Sequence, residues 1–216
     1  MWFIFDNLNA LIVGGMLFLM LLAVQQRVAE MNLEQTVNYI VKRQAGDLAT
    51  WLEDDLLQLG RGVDWSSEIP FENPVDSGGV TIQFMFFRDS TDAAGNVVRV
   101  YVRYRLQAAG YRMLRNDSVR VYQLRREECL GSSCPVGPWQ FSGQSPGLLS
   151  YFKIDLLDQD AQPLADPQDN ATLVRNTRVR FTMAAPFQVA RSQVLRQVYY
   201  GSTLLIDRYA GSSRGS

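Results

Sequence analysis

Few residues in this chain could carry covalent chemistry, and their spacing narrows the choice further. The 216 residues include no histidine, which removes a histidine general base, a histidine-containing triad and histidine metal or haem ligands. The two cysteines are too few for a four-thiolate zinc or iron–sulfur site. Gly143-Gln-Ser145-Pro-Gly147 matches the G-x-S-x-G nucleophile pattern. However, no imidazole can activate Ser145, and the next residue, whose N–H would stabilise an oxyanion, is Pro146, which has none. A carboxylate mechanism of the glycosidase kind needs two acids facing across a cleft, and the acids here stand in loops. The expectation is a non-enzymatic protein with no cofactor and no small-molecule substrate.

The remaining polar clusters leave alternatives open. Asp158, Asp160, Asp166 and Asp169 lie in a turn-rich run of the oxygen-bearing kind that calcium favours. Gln162 and Pro163 break the EF-hand spacing, so a solvated loop and a calcium loop are both open readings. Cys129 and Cys134 bracket a short loop. They form a disulfide if the domain lies outside the cytoplasm and are free thiols otherwise. Asn116-Asp-Ser118 and Asn170-Ala-Thr172 are glycosylation sequons, of interest only in an extracellular setting. The 19 arginines are spread along alternating segments rather than gathered in one run, and the net charge is −1. Nucleic-acid binding is therefore not expected.

What must position these residues begins at the N-terminus. Residues 2–24 read WFIFDNLNALIVGGMLFLMLLAV, with Asp6 as the single charge. This reaches the ~20 residues a membrane-spanning helix needs. No basic region precedes it and no small-residue cleavage site follows, so a retained helix is expected over residues 1–25 rather than a cleaved signal peptide. A carboxylate near hydrocarbon costs about 3 kcal/mol or more, so Asp6 calls for a partner, a role or a place at the wet interface. No Gly or Pro stops the helix there. Val37, Ile40, Val41, Ala45, Leu48, Trp51 or Leu52, and Leu56 recur at helical spacing, predicting an amphipathic continuation over 26–60 that ends at Gly60. A helix over residues 2–60 would be about 88 Å long. Its upper part is acidic, whereas residues 61–216 hold 18 basic and 15 acidic side chains. The surplus acids either form solvated faces or pair with arginines of neighbouring subunits.

Residues 61–79 read as a polar connecting loop and 80–210 as an antiparallel β domain. Strand patterns fall over 80–88, 96–106, 111–115, 118–126, 150–158, 172–185 and 193–209. Val98, Val100, Val102 and Tyr104 alternate with Arg99, Tyr101, Arg103 and Arg105, as in a strand with one buried face. Gly95-Asn96 marks a hairpin turn, and 211–216 is a flexible tail. The fold class expected is α+β, a long helix packed on an antiparallel sheet.

These parts together resemble type IV pilins and type II secretion pseudopilins: a membrane helix opening on aromatics, one early acid, a long amphipathic continuation and a β domain. Counting from Trp2, Asp6 is the fifth residue, where that family usually carries a glutamate thought to meet the N-terminal amine of a neighbour during assembly. Asp92-Ala-Ala-Gly95, Val102-Arg-Tyr104-Arg-Leu106 and Leu157-Asp158-Gln-Asp160 look like short motifs of the larger J-type minor pseudopilins and related minor pilins. The resemblance implies a pilin-like fold and a filament or pseudopilus subunit whose helices form the core, with Trp2 and Asp6 at the assembly site. The partners would be further copies or other pilin-like subunits. The chain would reside in the inner membrane before assembly and in a periplasmic or extracellular filament after it. The other expectation is a single-pass anchored accessory subunit of an envelope complex. The chain begins Met1-Trp2 without the family's basic leader, so it is expected either as a mature form or as entering the membrane unprocessed.

Overall fold

The computed structural model describes residues 2–114, 117–131, 133–186 and 197–206, with side chains for residues 8–113 and, among the rest, from 118 onward. One helix, α1 (Trp2–Leu56), runs for 55 residues without interruption. It is followed by β1 (Val75–Ser77), β2 (Val80–Thr91), β3 (Val97–Leu114), β4 (Asp117–Leu130), β5 (Gln140–Gln144), β6 (Leu148–Leu157), β7 (Asn176–Ala184) and β8 (Gln197–Leu205). The eight strands form one sheet in the order β1-β2-β3-β4-β6-β7-β8, with β5 pairing the far half of β4. Every pairing is antiparallel. The α+β expectation holds: a long apolar helix lies against an antiparallel sheet.

The helix has two different surfaces. Val37, Val41, Ala45, Leu48, Leu52 and Leu56 are buried at intervals of three and four, the stripe that one face of a helix presents to a neighbour. They pack on Phe84 and Phe86 of β2, Val102 and Tyr104 of β3, Leu124 of β4, Phe152 and Ile154 of β6, and Val179 and Phe181 of β7. From Leu8 to Thr36, by contrast, no side chain is buried. Leu11, Val13, Leu17, Leu19 and Leu21 all stand bare. That uncovered length is about 43 Å at the rise of an α-helix. The helix is long and apolar enough to cross a membrane.

Several boundaries differ from those the sequence predicts. The helix ends at Leu56, not at residue 60, because residues 57–62 coil into successive turns. Gly60 serves that reversal rather than the helix end itself. Its φ is +68°, and a Cβ there would meet the Trp65 ring at 2.6 Å, so any side chain would be both strained and blocked. The predicted connecting loop 61–79 contains β1, which extends the sheet beside β2. The segments predicted at 96–106 and from 111 on merge into one strand, β3 (Val97–Leu114), in which a bulge between Ala108 and Tyr111 absorbs Gly110. β5 has no sequence forerunner. The start of the predicted 172–185 strand is a 3-10 turn, Ala171–Leu173, so β7 opens at Asn176. The tail 211–216 lies outside the described residues.

Leu52 is fully buried at the middle of the helix–sheet contact. Leu52→Ala should lower the unfolding free energy of the sheet domain by about 2–5 kcal/mol. Urea unfolding of the full chain in neutral detergent, followed by tryptophan fluorescence, measures this. A loss of less than about 0.5 kcal/mol, the range of ordinary surface changes, would contradict the packing described.

Candidate functional site

The last turn of α1 carries a charge on its buried stripe. Asp55 follows Leu48 and Leu52 by seven and three residues, which turns it toward the sheet. There it meets Arg126, which shares its strand face with the buried Leu124. Arg126 Nε donates to Asp55 Oδ2 at 2.5 Å and Nη2 donates to Oδ1 at 2.9 Å, a two-pronged pair whose side chains are both about nine-tenths buried. The Tyr104 hydroxyl donates to the same Asp55 Oδ2 at 2.6 Å. Arg126 also bonds the Ser142 hydroxyl at 2.7 Å and the Glu128 carboxylate at 2.7 Å. Above Tyr104 the Trp51 ring stands edge-on, with centroids 6.0 Å apart.

Electrostatics follow from burial and pairing. Enclosure opposes the Arg126 charge, but its bonds to Asp55 outweigh this and hold its pKa above the ordinary arginine value. Burial, then the neighbouring Asp55 charge, push the Tyr104 phenol well above its ordinary value of 10. A second tie lies lower on the helix, where Gln44 Nε2 donates to the Pro146 carbonyl at 3.1 Å. A third joins the Tyr200 hydroxyl of β8 to Glu53. Three of these contacts join α1 to well-separated parts of the sheet. Together they clamp the upper part of the helix on the sheet.

The sequence-predicted residues are scattered relative to this clamp. Trp2 and Asp6 lie on the first turns of α1, and their side chains are outside the described residues. Cys129 and Cys134 are joined in a disulfide at the end of β4 remote from the β3–β4 turn. Asn116 is outside the described residues. Asn170 is exposed and donates its amide to the Asp166 carbonyl at 3.0 Å. The calcium reading finds no cage: among the described residues no three His, Cys, Asp or Glu side chains converge. Asp158 instead closes a turn by accepting the Asp160 and Gln162 amides at 2.9 and 2.8 Å, while Asp160, Asp166 and Asp169 point to solvent. Ser145 is buried with its hydroxyl fully used. It donates to the Gly147 carbonyl at 2.7 Å and accepts the Leu124 amide at 3.2 Å, which stitches the β5–β6 connection to β4. Among the acids of the upper helix, Asp55 and Glu53 find partners in their own sheet.

The clamp was missed by sequence reasoning, although its signal was present. Asp55 falls in phase with the apolar stripe, and Arg126 falls in phase with Leu124. A charge on a core face asks for a counter-charge, and matching the two phases would have paired them. Comparison with protein-family models, curated proteins and solved structures finds no match to this chain.

Two outcomes follow from the clamp. Asp55→Ala should destabilise the sheet domain by about 3–5 kcal/mol, because it strands the buried Arg126 charge. The double variant Asp55→Leu/Arg126→Met should lose much less, and paired denaturation curves measure the difference. The Tyr104 phenol ionises near pH 10 when unfolded and resists ionisation when folded. Its contribution to stability is therefore complete below about pH 10 and is lost as the pH rises beyond it. Tyr104→Phe should flatten that alkaline decline in a melting-temperature series from pH 8 to 11.

Proposed function

We propose that this chain is a structural subunit of a type IV pilus-like filament or pseudopilus. In this reading the bare halves of α1 form the core and the β domains form the surface. The observation that carries it is the continuity of α1: one helix packs its apolar stripe on its own sheet from Val37 upward and has no buried side chain from Leu8 to Thr36. An apolar cylinder of that length is costly in water. It must be covered by lipid before assembly and by like helices after extraction. The clamp at Asp55, Gln44 and Glu53 supports the same reading, since a helix that carries load into a filament core has to be fixed to the domain it carries. The disulfide suits an oxidising compartment, in keeping with a periplasmic or extracellular β domain and an inner-membrane precursor.

Asp6 is the assembly residue in this reading, with Trp2 beside it. In a dry core its carboxylate would neutralise the N-terminal ammonium of a neighbour, and an unpaired charge there would be expensive. The reading assigns no catalytic residue, metal or cofactor. A second reading, a single-pass anchored accessory subunit, has one specific support. The uncovered stretch of α1 is by itself long enough to cross a bilayer, with no need of neighbours.

Shearing cells that produce the chain and imaging the supernatant separates the two. Thin filaments containing this subunit are expected from the unaltered chain. Asp6→Ala and Asp6→Lys should abolish them while leaving the melting temperature of the β domain unchanged. Filaments from both variants at the unaltered yield would remove Asp6 from assembly. A chain that stays entirely in the membrane fraction alongside every candidate partner subunit would favour the anchor.

A further inference from the structure

The sheet face turned away from α1 carries arginines stacked on aromatic rings, and one facing pair of arginines on it lacks the carboxylate partners that its neighbours have. Arg99 lies over Phe87 at 4.5 Å and is paired with Asp89 and Glu68. Arg103 lies over Trp139 at 4.0 Å and is paired with Glu127 at 2.6 Å. One step further along the strands, Arg105 of β3 stands directly opposite Arg125 of β4. Among the described residues no carboxylate lies within ion-pair distance of either. Like charges directly opposite each other weaken a sheet, so this row is unfavourable as it stands.

The positions from which an acid would relieve it hold carboxamides instead. Gln83 of β2 is in register with Arg105, and Gln144 of β5 is in register with Arg125. Gln107 and Gln123 face each other in the adjacent row on the same side. Arg125 reaches the Gln107 oxygen at 3.4 Å and lies 5.0 Å from the Phe141 ring, which is 54% exposed. Two guanidinium forks, four amides and an open aromatic face therefore share one flat patch.

We propose that this patch binds an acidic polysaccharide, with the Arg105–Arg125 pair taking a carboxylate or sulfate group of the chain. The guanidinium fork matches the two oxygens of such a group, and the anion removes the repulsion between the two arginines. The amides each donate and accept, as adjacent sugar hydroxyls require, and Phe141 offers an apolar surface to a pyranose ring. A nucleic acid would call for a basic stripe along its backbone. The Arg105–Arg125 row is flanked on one side by the neutralised Arg99 and Arg103 and on the other by Gln107 and Gln123, so no unbroken basic stripe runs through it.

The full chain in neutral detergent would be titrated with an alginate octasaccharide, a dextran octasaccharide and a short DNA duplex, using calorimetry at two salt concentrations. The alginate should bind, more weakly at higher salt, with no binding of dextran and weaker binding of DNA. Arg105→Gln/Arg125→Gln should weaken alginate binding at least about tenfold, the loss expected when charged hydrogen bonds are removed. Its melting temperature should be equal or higher, because the repulsive pair is gone. Three results would each overturn the proposal: no alginate binding by the unaltered chain, undiminished binding by the double variant, or dextran or DNA bound as tightly as alginate.

Discussion

One helix has to satisfy two environments, and the rest of the molecule depends on how it does so. The stripe from Val37 to Leu56 is sealed under the sheet, while from Leu8 to Thr36 no side chain is buried. Helix formation by itself would allow the two halves to bend apart or the upper half to roll on the sheet. The Asp55–Arg126 pair opposes the roll, because a two-pronged bond has a fixed orientation in a way that apolar packing has not. Removing water from two charges is expensive. Here that cost is offset by Tyr104 and Ser142, which complete the hydrogen bonding around the pair. What results is an upper helix held in one orientation on the sheet, with an apolar length continuing beyond it.

The sheet is arranged around the same requirement. Its inner face supplies the large side chains that meet α1, with Tyr104 contributing both an apolar ring to the core and a hydroxyl to the clamp. The disulfide and the stitched Ser145 loop stiffen the region around β4 and β5, the strands that hold Arg126 and its partner Ser142. The outer face is freed from any duty toward the helix. It carries arginine–aromatic stacks, those of Arg99 and Arg103 internally neutralised, and the facing pair Arg105 and Arg125, which has no carboxylate partner among the described residues.

Much of this was legible in the sequence where one physical pattern dominated. Apolar composition marks the lower half of α1, and a three-to-four spacing from Val37 marks the upper half. Period-two alternation marks β3. The places that were illegible are those where the decisive contact is long-range. Asp55 reads as one acid among several until Arg126, 71 residues on, is placed opposite it. β1 and β5 are too short and too polar to show alternation, and exist because neighbouring strands offer them an edge. The helix end was misplaced because Gly60 signals a turn as readily as a cap. The aspartate run suggested calcium by composition, but ligation depends on convergence, and Asp158 is occupied in closing its own turn.

We propose that the lower half of α1 is covered by other copies of itself. A photo-reactive diazirine side chain placed at Leu17 in cells producing the full chain, with the adducts mapped by mass spectrometry after irradiation, tests it most directly. The account predicts covalent multimers linked between the apolar halves of neighbouring helices. Adducts to lipid alone, or to the β domain of the same chain, would contradict it.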